Sequence, residues 1–502
     1  MAGQATDFDV LIVGAGISGI GMAAHLEMHC PDRSYAILER RENLGGTWDL
    51  FRYPGIRSDS DMHTLGFVFE PWKHEKSIAD APAILDYLHR IVDERGIRQH
   101  IRHEHLVRSA DFDHANARWT VTVELADGEH KRLTANWLYL GSGYYDYDQP
   151  YDAGFETGDF TGQVIHPQFW PEDLDYAGKK VVVIGSGATA VTIVPSMADK
   201  AAHVTMLQRT PTWMFNRPAK DRLANFLRKV LPEETAYRLT RWKNIKLQDF
   251  GFKRARTKPE KMKADLFKRI DKAMGGPDTY DRANFTPPYN PWEQRLCLVP
   301  DDDLFEAMKA ERASVVTGRI ARFVPSGIEL ESGEVVEADI IVTATGLKLA
   351  VAGKIAVSVG GEPVDFAQRY YYKGCMFSNL PNLAVVFGYL NASWTLRADI
   401  NSDYVCRVLD LTKRMGVDIA VPTLPENHGL EEDDIFDFSS GYIQRSKHIM
   451  PKNAVSYPWR LNQEYVLDRK RMASDPGDDG ILTFYRAGAG VGQPAKSMQP
   501  AE

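Results

Sequence analysis

The chain has 502 residues, of which 44% are hydrophobic and 25% charged, and 60 Lys/Arg against 68 Asp/Glu give a formal net charge of −8. These proportions are typical of a globular protein and exclude collagen-like, mucin-like and wholly disordered chains. The acidic balance argues against a general nucleic-acid binder. At roughly 100–200 residues per domain, the length predicts two to four domains.

The cysteine pattern and the short apolar runs exclude several further classes of protein. Cys30, Cys297, Cys375 and Cys406 are scattered and have no histidines at metal-ligand spacing. This predicts a reducing compartment and argues against disulfides, a metal site and a dithiol redox centre. No run approaches the ~18 apolar residues of a membrane span, and the N-terminus does not resemble a signal peptide. We therefore expect a cytoplasmic protein.

The first predicted nucleotide-binding unit begins at the apolar run Asp9–Val13. This run is followed by Gly14–Gly19 (GAGISG) and by a helical stretch. Between a strand and a helix, such glycines permit a tight turn, the approach of a pyrophosphate and close helix packing. The next predicted strand, Tyr35–Leu38, ends in Glu39, whose carboxylate can accept hydrogen bonds from both ribose hydroxyls of an adenosine. A tight turn beside a solvated Glu39 stays open as the alternative.

A second unit repeats this pattern with a different ending. Lys180–Ile184 is followed by Gly185–Ala190 (GSGATA), and the next predicted strand, His203–Leu207, ends in Gln208, Arg209 and Thr210 rather than in an acid. A guanidinium at this position suits a ribose that carries a 2′-phosphate and so favours NADPH over NADH. The alternative is that Arg209 is an ordinary surface residue.

A third apolar run, Asp339–Gly346, completes the pattern. Apolar strands that lead into helices are typical of parallel sheets covered on both faces. The sequence therefore predicts an α/β protein with two Rossmann-like dinucleotide-binding domains. One site ending in Glu and one ending in Arg imply a bound FAD and a visiting NADPH that passes hydride to it.

The segment between residues 217 and 282 has a positive net charge, opposite in sign to that of the whole chain. This segment holds 19 Lys/Arg and 9 Asp/Glu, and Leu223, Phe226, Leu227 and Val230 recur at helical spacing. It is predicted to be a helical insertion in the NADPH domain. Its basic surface is either a solvated face or a peripheral contact with anionic lipid.

The predicted boundaries follow from these patterns. Residues 1–148 and 347–502 form the FAD domain, whose small and polar tail is expected to fray from about Pro476. Residues 149–216 form a linker and the first part of the NADPH domain, residues 217–289 the helical insertion, and residues 290–346 the second part of the NADPH domain.

The segment 160–171, FTGQVIHPQFWP, links the two units. It resembles the FxGxxxHxxxWP signature of type I Baeyer–Villiger monooxygenases, in the flavin-containing monooxygenase superfamily. From composition alone, an interdomain linker with a structural histidine is the alternative, and the resemblance itself implies a linker in which His166 couples domain movements. The signature residues are Phe160, Gly162, His166, Trp170 and Pro171.

Longer runs extend the resemblance over nearly the whole chain. They are GGTWDLFRYPGIRSDSDM, HPQFWPEDLDYAGKKVVVIGSGATAV, NPWEQRLCLVP and NASWTLRADI. These runs are similar to the ethionamide-activating branch of the family. Ala344–Gly346 (ATG) resembles the family's third motif, where the chain returns to the flavin domain.

The resemblance implies the catalytic residues. Arg295 matches the family's active-site arginine, and Asp59 matches the acid that pairs with this arginine. In the family, reduced flavin and O2 give a C4a-peroxyflavin, and a fixed guanidinium stabilises its anionic form and the adduct with a ketone. A surface ion pair of Arg295 with Glu293 is the alternative. Gln294 stands where many relatives have a lysine, so selectivity for the phosphate would depend on Arg209 and Thr210.

The motifs and the resemblance together give the predicted cofactor residues. FAD-binding residues are expected to be Gly14, Gly16, Ser18, Gly19, Glu39, Thr47, Trp48, Asp59, Val107, Asn391 and Trp394. NADP-binding residues are expected to be Arg57, Ser58, Gly185, Ser186, Gly187, Ala188, Thr189, Ala190, Arg209 and Thr210. Val107 could equally be a core residue of an edge strand, and no metal ligand is predicted.

The leading hypothesis is an FAD- and NADPH-dependent Baeyer–Villiger monooxygenase that converts ketones to esters or lactones with O2 and also oxidises sulfides and thioamides. One alternative is a monooxygenase that oxygenates nitrogen and sulfur without ketone activity. Another is a non-catalytic flavoprotein that senses redox state or docks partners.

Overall fold

A computed structural model describes residues 6–488 of the chain. Its strands are β1 Phe8–Val13, β2 Tyr35–Leu38, β3 Ile101–Arg102, β4 His105–Asp113, β5 Arg118–Leu125, β6 His130–Leu140, β7 Gln163–Ile165, β8 Lys180–Ile184, β9 His203–Gln208, β10 Met214–Arg217, β11 Cys297–Pro300, β12 Ala313–Thr317, β13 Ile320–Val324, β14 Gly327–Leu330, β15 Val335–Glu337, β16 Ile340–Thr343, β17 Ala356–Val359, β18 Glu362–Pro363, β19 Tyr371–Tyr372, β20 Met376–Phe377, β21 Leu383–Val385, β22 Ile419–Pro422, β23 Glu432–Asp433, β24 Asn453–Ala454 and β25 Leu482–Tyr485.

The α-helices are α1 Ile17–His29, α2 Thr47–Leu50, α3 Met62–Leu65, α4 Ala81–Glu94, α5 Ala188–Met197, α6 Arg222–Val230, α7 Glu233–Thr257, α8 Pro259–Met274, α9 Asp303–Lys309, α10 Trp394–Met415, α11 Gly441–Ser446 and α12 Tyr465–Met472. Short 3-10 helices lie at Arg98–His100, Pro167–Phe169, Arg282–Phe285, Ala352–Lys354, Phe366–Gln368 and Lys447–Ile449.

The larger sheet combines strands from both ends of the chain. Its main path runs β18-β17-β4-β5-β6-β1-β2-β3, and β21 pairs with β6 in parallel. The parallel part, β6-β1-β2-β3, has a core on both faces: α1, α4 and α10 pack on one side, and a second apolar cluster with side chains from β4, β5, β17 and β21 lies on the other. A strand was expected around Val107, within β4, but its antiparallel pairing and the strands β5 and β6 were not predicted from the sequence.

The smaller sheet is parallel and runs β12-β9-β8-β16-β7. Its apolar strands β8 and β16 lie at the centre, and α5 and α9 cover one face. Both predicted glycine turns therefore follow the carboxyl ends of parallel strands, where open α/β sheets bind ligands. The predicted fold class, two Rossmann-like units with a helical insertion, is confirmed.

The insertion consists of α6, α7 and α8, between β10 and β11. Helix α7 is hydrogen-bonded to the residues on either side of α3. The Tyr237 hydroxyl donates to the Phe67 carbonyl at 2.7 Å, and the buried Arg241 guanidinium donates to the Gly66 carbonyl at 2.7 Å. Asn244 donates to the Asp61 carboxylate at 2.8 Å. These bonds give α7 one inner face and leave the opposite face outward.

The prediction that the chain frays from about Pro476 is wrong for part of this segment. Residues Leu482–Tyr485 form β25, which pairs antiparallel with β22 and buries Leu482 and Phe484. Residues 489–502, the rest of the predicted tail, lie outside the described residues. In the part of the chain that the structure describes, no helix combines the length and apolar character needed to cross a bilayer.

Candidate active site

The first glycine turn brings three backbone segments into close contact. Gly14 has φ +97°, a left-handed conformation that favours glycine. A Cβ on Gly19 would lie 1.9 Å from the Gly14 carbonyl oxygen, so only glycine lets α1 approach β1 this closely. Gly16 precedes the first residue of α1, and Gly46 packs against it. The turn therefore leaves the N-terminus of α1 open to a ligand.

Glu39 is buried beside this turn and is not solvated. Its carboxylate accepts hydrogen bonds from the Ala15 amide at 2.7 Å and from the Arg41 amide at 3.0 Å. Burial raises the pKa of Glu39 above its ordinary value, and the two amides oppose this effect. Its remaining acceptor capacity faces the cavity described below, where a ribose would lie.

The second glycine turn has the same construction. Gly185 has φ +138°, and a Cβ on it would lie 2.3 Å from the Ala344 carbonyl oxygen. The Gly185 turn therefore touches the third apolar motif, Ala344–Gly346. A Cβ on Gly187 would meet nothing within 4 Å, so the space in front of this amide is open. Ala190 is fully buried against the sheet, in the position of the third glycine.

The predicted phosphate-selective residues lie at the end of β9. The Ser186 hydroxyl donates to the Thr210 carbonyl at 2.9 Å and ties this end of the strand to the glycine turn. Arg209 is exposed and makes no ion pair within 4.0 Å of another residue in 6–488. Its guanidinium is therefore available to an anionic ligand.

One cavity is lined by both halves of the chain. Among the predicted site residues, its walls include Gly14, Gly16, Ser18, Glu39, Thr47, Trp48, Arg57, Ser58, Asp59, Val107, Ala188, Thr189, Arg295 and Trp394. Outside the lining lie Gly19, Asn391, Gly185, Ser186, Gly187, Ala190, Arg209, Thr210 and the signature residues. The structure thus brings most of the predicted FAD residues together with both predicted catalytic residues.

Arg295 and Asp59 face the same cavity. Burial works against the charged guanidinium, but the Asp59 carboxylate and nearby phenols outweigh it and raise the pKa of Arg295. Burial raises the pKa of Asp59 above its ordinary value, and Arg295 and Arg57 oppose this effect. The two side chains do not form an ion pair within 4.0 Å in the described structure, so their coupling is electrostatic rather than by direct contact. Arg295 does not pair with Glu293 either, because Glu293 accepts hydrogen bonds from Asn290.

Arg57 and Ser58, predicted to contact NADP, are both bound within the protein. Arg57 donates through Nη1 to Asp303 at 2.5 Å, while its Nε and Nη2 are buried and have no partner among the described residues. The buried Ser58 hydroxyl donates to the Ser60 carbonyl at 2.8 Å and accepts from the Ser60 amide. Arg57 therefore retains free donors at the cavity, whereas the hydroxyl of Ser58 is occupied by Ser60.

Three other predicted FAD residues have identifiable packing roles. Thr47 Oγ1 lies 3.3 Å from the Tyr147 hydroxyl. Val107 is buried in the core of β4 beside a bulge and also lines the cavity, so both interpretations of it fit its position. Asn391 donates to the Gln463 carbonyl at 2.8 Å, which leaves its buried Oδ1 without a partner in the described chain.

Sequence reasoning missed an aromatic cluster around Arg295. Tyr144 and Tyr145 follow β6 and touch through their hydroxyls, and the Tyr144 ring stacks on Trp394 at 4.9 Å between centroids. Burial raises the pKa of the phenols of Tyr144, Tyr145 and Tyr442. The positive charge of Arg295 opposes this effect at all three, so they lie near its guanidinium. A signal was present: Gly141-Ser142-Gly143 is a further glycine-rich turn directly after an apolar strand.

The signature segment is more than a linker. Its residues Gln163–Ile165 form β7, which pairs in parallel with β16 at the edge of the smaller sheet. Gly162 is required here because a Cβ would lie 2.2 Å from the Asp339 carbonyl oxygen. His166 accepts from the Gln168 amide, and burial lowers its pKa, although the backbone of Gly346 opposes this.

Pro171 is exposed, Trp170 is half-buried and packs on the core of the smaller sheet, and Phe160 is buried on the other face of that sheet. The neighbouring Gln168 donates to the Asp146 carbonyl at 2.8 Å. Asp146 follows β6, where the chain leaves the larger sheet, and Gly346 follows β16, where the chain leaves the smaller sheet. The signature segment therefore contacts both connections between the two units.

These features fit two dinucleotides. The first turn offers free helix amides beside a buried carboxylate, and the second offers an open glycine beside an unpaired arginine. Buried polar atoms without partners in residues 6–488 remain at Arg57, Ser142 and Asn391. Unpartnered buried donors and acceptors are costly, and a polar ligand would satisfy them.

Comparisons with known proteins agree with this site. The family described as "Pyridine nucleotide-disulphide oxidoreductase" matches residues 11–256. "FAD-containing monooxygenase EthA" of Mycolicibacterium smegmatis is 50% identical over 487 residues, 96% of this chain and 98% of the relative. "Probable FAD-binding monooxygenase AlmA" of Acinetobacter baylyi is 46% identical over 95% of this chain and 96% of the relative.

A solved structure shares the fold. "Oxidized steroid monooxygenase bound to NADP" superposes with a TM-score of 0.73 and 20% identity, covering 95% of this chain and 99% of that chain. The identity is low, so this likeness bears on architecture alone. The high identity to the two monooxygenases over almost their whole length decides the family: the chain belongs to the FAD-containing monooxygenases.

Proposed function

We propose that this flavin monooxygenase is of the Baeyer–Villiger type. It uses FAD, NADPH and O2 to insert one oxygen atom beside the carbonyl of a ketone, giving an ester or lactone, and it also oxidises sulfides and thioamides. The observation that carries the proposal is a permanently charged Arg295 at a cavity lined by both halves of the chain, beside a carboxylate that it does not touch.

The first glycine turn and Glu39 would hold the adenosine diphosphate part of FAD, and the second turn and Arg209 would hold NADPH. When bound, NADPH supplies a hydride, and reduced FAD activates O2. Arg57 supplies further donors at the cavity, where Nε and Nη2 lack partners among the described residues. The first glycine turn, Glu39 and Arg57 line the cavity that Arg295 faces, and the second turn reaches it through Ala188 and Thr189.

Arg295 would stabilise negative charge during oxygen transfer. A guanidinium held by a protein costs no reorganisation when negative charge develops on an oxygen nearby, and burial strengthens this interaction. Asp59 keeps the guanidinium charged and oriented but leaves its donors free, since the two groups are more than 4.0 Å apart in the described structure. The same cavity has Tyr144 and Trp394 in its walls, which favours apolar carbonyl compounds.

The test measures products from a simple aliphatic ketone, with NADPH and O2, by gas chromatography. We expect an ester, and we expect a thioether to give a sulfoxide. In Arg295→Ala, ketone oxidation should fall by ~10²–10³ in kcat because the developing negative charge loses its stabilising cation. Flavin reduction by NADPH should fall less. Arg132→Ala, which removes an exposed arginine outside the cavity, is the control.

Two results would contradict the proposal. Sulfoxidation without any ester from a range of ketones would identify an enzyme that oxygenates only nitrogen and sulfur. Equal ketone oxidation by the wild type and Arg295→Ala would show that the cation has no part in oxygen transfer. Arg295→Lys separates charge from geometry, because lysine keeps the charge but not the planar fork.

A further inference from the structure

Exposed apolar side chains are concentrated on two helices of the insertion. Among residues 6–488, thirteen large apolar side chains are exposed, and seven of them lie on α6 and α7. These seven are Leu223, Phe226, Val230, Leu239, Trp242, Leu247 and Phe250. Trp242 and Phe250 are the most exposed, at 63% and 62%. A concentration of exposed apolar side chains on one part of a protein surface indicates an interaction site.

Helix α6 has distinct inner and outer faces. Leu223, Phe226 and Val230 are three and four residues apart, so they lie on one face. On the opposite face Ala224 is fully buried, and the Asn225 amide donates to the Glu75 carbonyl at 3.0 Å. The apolar face of α6 is therefore turned away from the protein.

Helix α7 repeats this arrangement. Its inner face carries Tyr237, Arg241 and Asn244, which bind the segment 61–67 as described above. Trp242 and Phe250 are separated by two helical turns and lie half a turn from that face. Both helices dock their inner faces on residues 61–75 and also contact each other, so we infer that their outer faces form one surface. We name this surface the α6–α7 face.

The α6–α7 face is also basic. Arg222, Lys229, Arg238 and Lys246 are exposed, and none makes an ion pair within 4.0 Å in residues 6–488. Of the neighbouring acids, Glu233 pairs with Lys73 and Asp249 pairs with Lys253, whereas the exposed Glu234 makes no ion pair in residues 6–488. The face therefore combines tryptophan, phenylalanine and leucine with free positive charge in a protein whose net charge is −8.

We propose that the α6–α7 face binds the surface of an anionic lipid bilayer. Trp242 and Phe250 enter the boundary between headgroups and acyl chains, and the arginines and lysines contact lipid phosphates. Helices that lie in this boundary have aromatic and aliphatic side chains on one side and Lys/Arg beside them. Anionic headgroups supply the complementary charge.

The charges of the face argue against a second copy of this chain as the occupant. A twofold interface would place the face against itself and bring its unpaired cations together. A bilayer instead offers a continuous acidic surface, and an acidic protein partner is an outcome that the experiment below distinguishes.

The experiment is co-sedimentation of the full-length holoenzyme with vesicles, with the bound fraction read from flavin absorbance. One set of vesicles is phosphatidylcholine, and the other is an equal mixture of phosphatidylcholine and phosphatidylglycerol. We expect at least ~10-fold stronger binding to the anionic vesicles at low salt and a loss of most of this binding at ~0.5 M salt.

Two double variants separate the apolar and charged contributions. Trp242→Ser with Phe250→Ser should lower binding at every salt concentration, and Arg238→Glu with Lys246→Glu should abolish the preference for anionic vesicles. Val335→Ser with Lys131→Glu changes an exposed valine of β15 and an exposed lysine of β6, and this variant should bind as the wild type does. All variants should keep wild-type NADPH oxidation, which shows that they fold.

Three results would overturn the proposal. The first is absence of binding to anionic vesicles by the wild type. The second is equal binding by the wild type and both double variants. The third is a change of oligomeric state in Trp242→Ser with Phe250→Ser, measured by sedimentation velocity without lipid, because it would assign the face to a contact between copies.

Discussion

The indole nitrogen of Trp394 donates a hydrogen bond of 2.8 Å to the hydroxyl of Ser18. Ser18 lies in the first turn of α1, and Trp394 is the first residue of α10, 376 positions later in the chain. Because Ser18 accepts from Trp394, its own proton is free to be donated to a phosphate oxygen. This contact therefore orients the hydroxyl that we expect to bind FAD.

Trp394→Phe tests this orienting role. The variant keeps an aromatic ring for stacking on Tyr144 but loses the donor, so we expect FAD to bind several-fold more weakly, as for loss of about 1 kcal/mol. The measurement is titration of the apoenzyme with FAD. Ser18→Ala and the double variant complete a mutant cycle. Additive effects of the two substitutions would show that the hydrogen bond does not contribute to FAD binding.

Replacing a glycine by alanine should affect thermal stability differently in the two glycine turns. In Gly19→Ala the new methyl group collides with the Gly14 carbonyl, so we expect a lower Tm and an enzyme purified largely without flavin. In Gly187→Ala the methyl group meets no protein atom within 4 Å, so Tm should be unchanged while KM for NADPH rises. Thermal unfolding, flavin content and steady-state kinetics distinguish these cases. Destabilisation by Gly187→Ala would contradict the assignment.

Arg209→Ala should reduce the preference for NADPH. We expect KM for NADPH to rise by about 10–100-fold, as for loss of a charge-assisted hydrogen bond, while KM for NADH changes little. Arg132→Ala, which removes an exposed arginine of the larger sheet, serves as the control. If both coenzymes are affected equally, Arg209 contacts a part of the molecule that they share.

The raised pKa of Asp59 gives a pH prediction. Burial, partly opposed by Arg295 and Arg57, places this pKa above the ordinary value of about 3.9. Above its pKa the carboxylate is ionised and supplies a negative counter-charge to Arg295. As the pH falls through that pKa, the carboxylate gains a proton and Arg295 loses its counter-charge. We therefore expect kcat/KM for the ketone to fall on the acid side at a higher pH than an exposed aspartate would give.

Asp59→Asn checks this interpretation. Asparagine has a similar shape and no charge, so the variant should be slower by about 10-fold or more and should lose the acid limb of its pH profile. If the acid limb persisted unchanged in Asp59→Asn, it would belong to another group, such as Glu39, whose pKa is also raised.

The local parts of the fold were predictable from the sequence because each depends on a short run of residues. Strands β2 and β8 have the predicted bounds, and the glycine turns follow β1 and β8 as expected. The antiparallel strand β5 was missed because it alternates buried and partly exposed residues, as at Trp119 and Val121, and leads through a short hairpin turn into β6 rather than through a glycine-rich turn into a helix. The domain boundaries stay a prediction.

The site was only partly predictable for a different reason. Arg295 and Asp59 were identified through family resemblance, and nothing in their local sequence indicates that they face one cavity. The ring of Tyr144 beside Arg295 depends on contacts between residues far apart in the chain. The separation between Asp59 and Arg295 is likewise a property of tertiary packing, and a motif specifies residue identity without specifying distance.

The pairing of β6 with β21 has a consequence for biosynthesis. Strand β6 ends at Leu140, whereas its parallel neighbour begins at Leu383, so the ribosome must complete the NADPH unit and the insertion before the larger sheet can close. The nascent N-terminal third emerges with an unfilled sheet edge and without Trp394. Flavin is therefore expected to be acquired late in synthesis, and truncated chains that end before α10 should be substrates for chaperones and proteases rather than stable flavin-binding fragments.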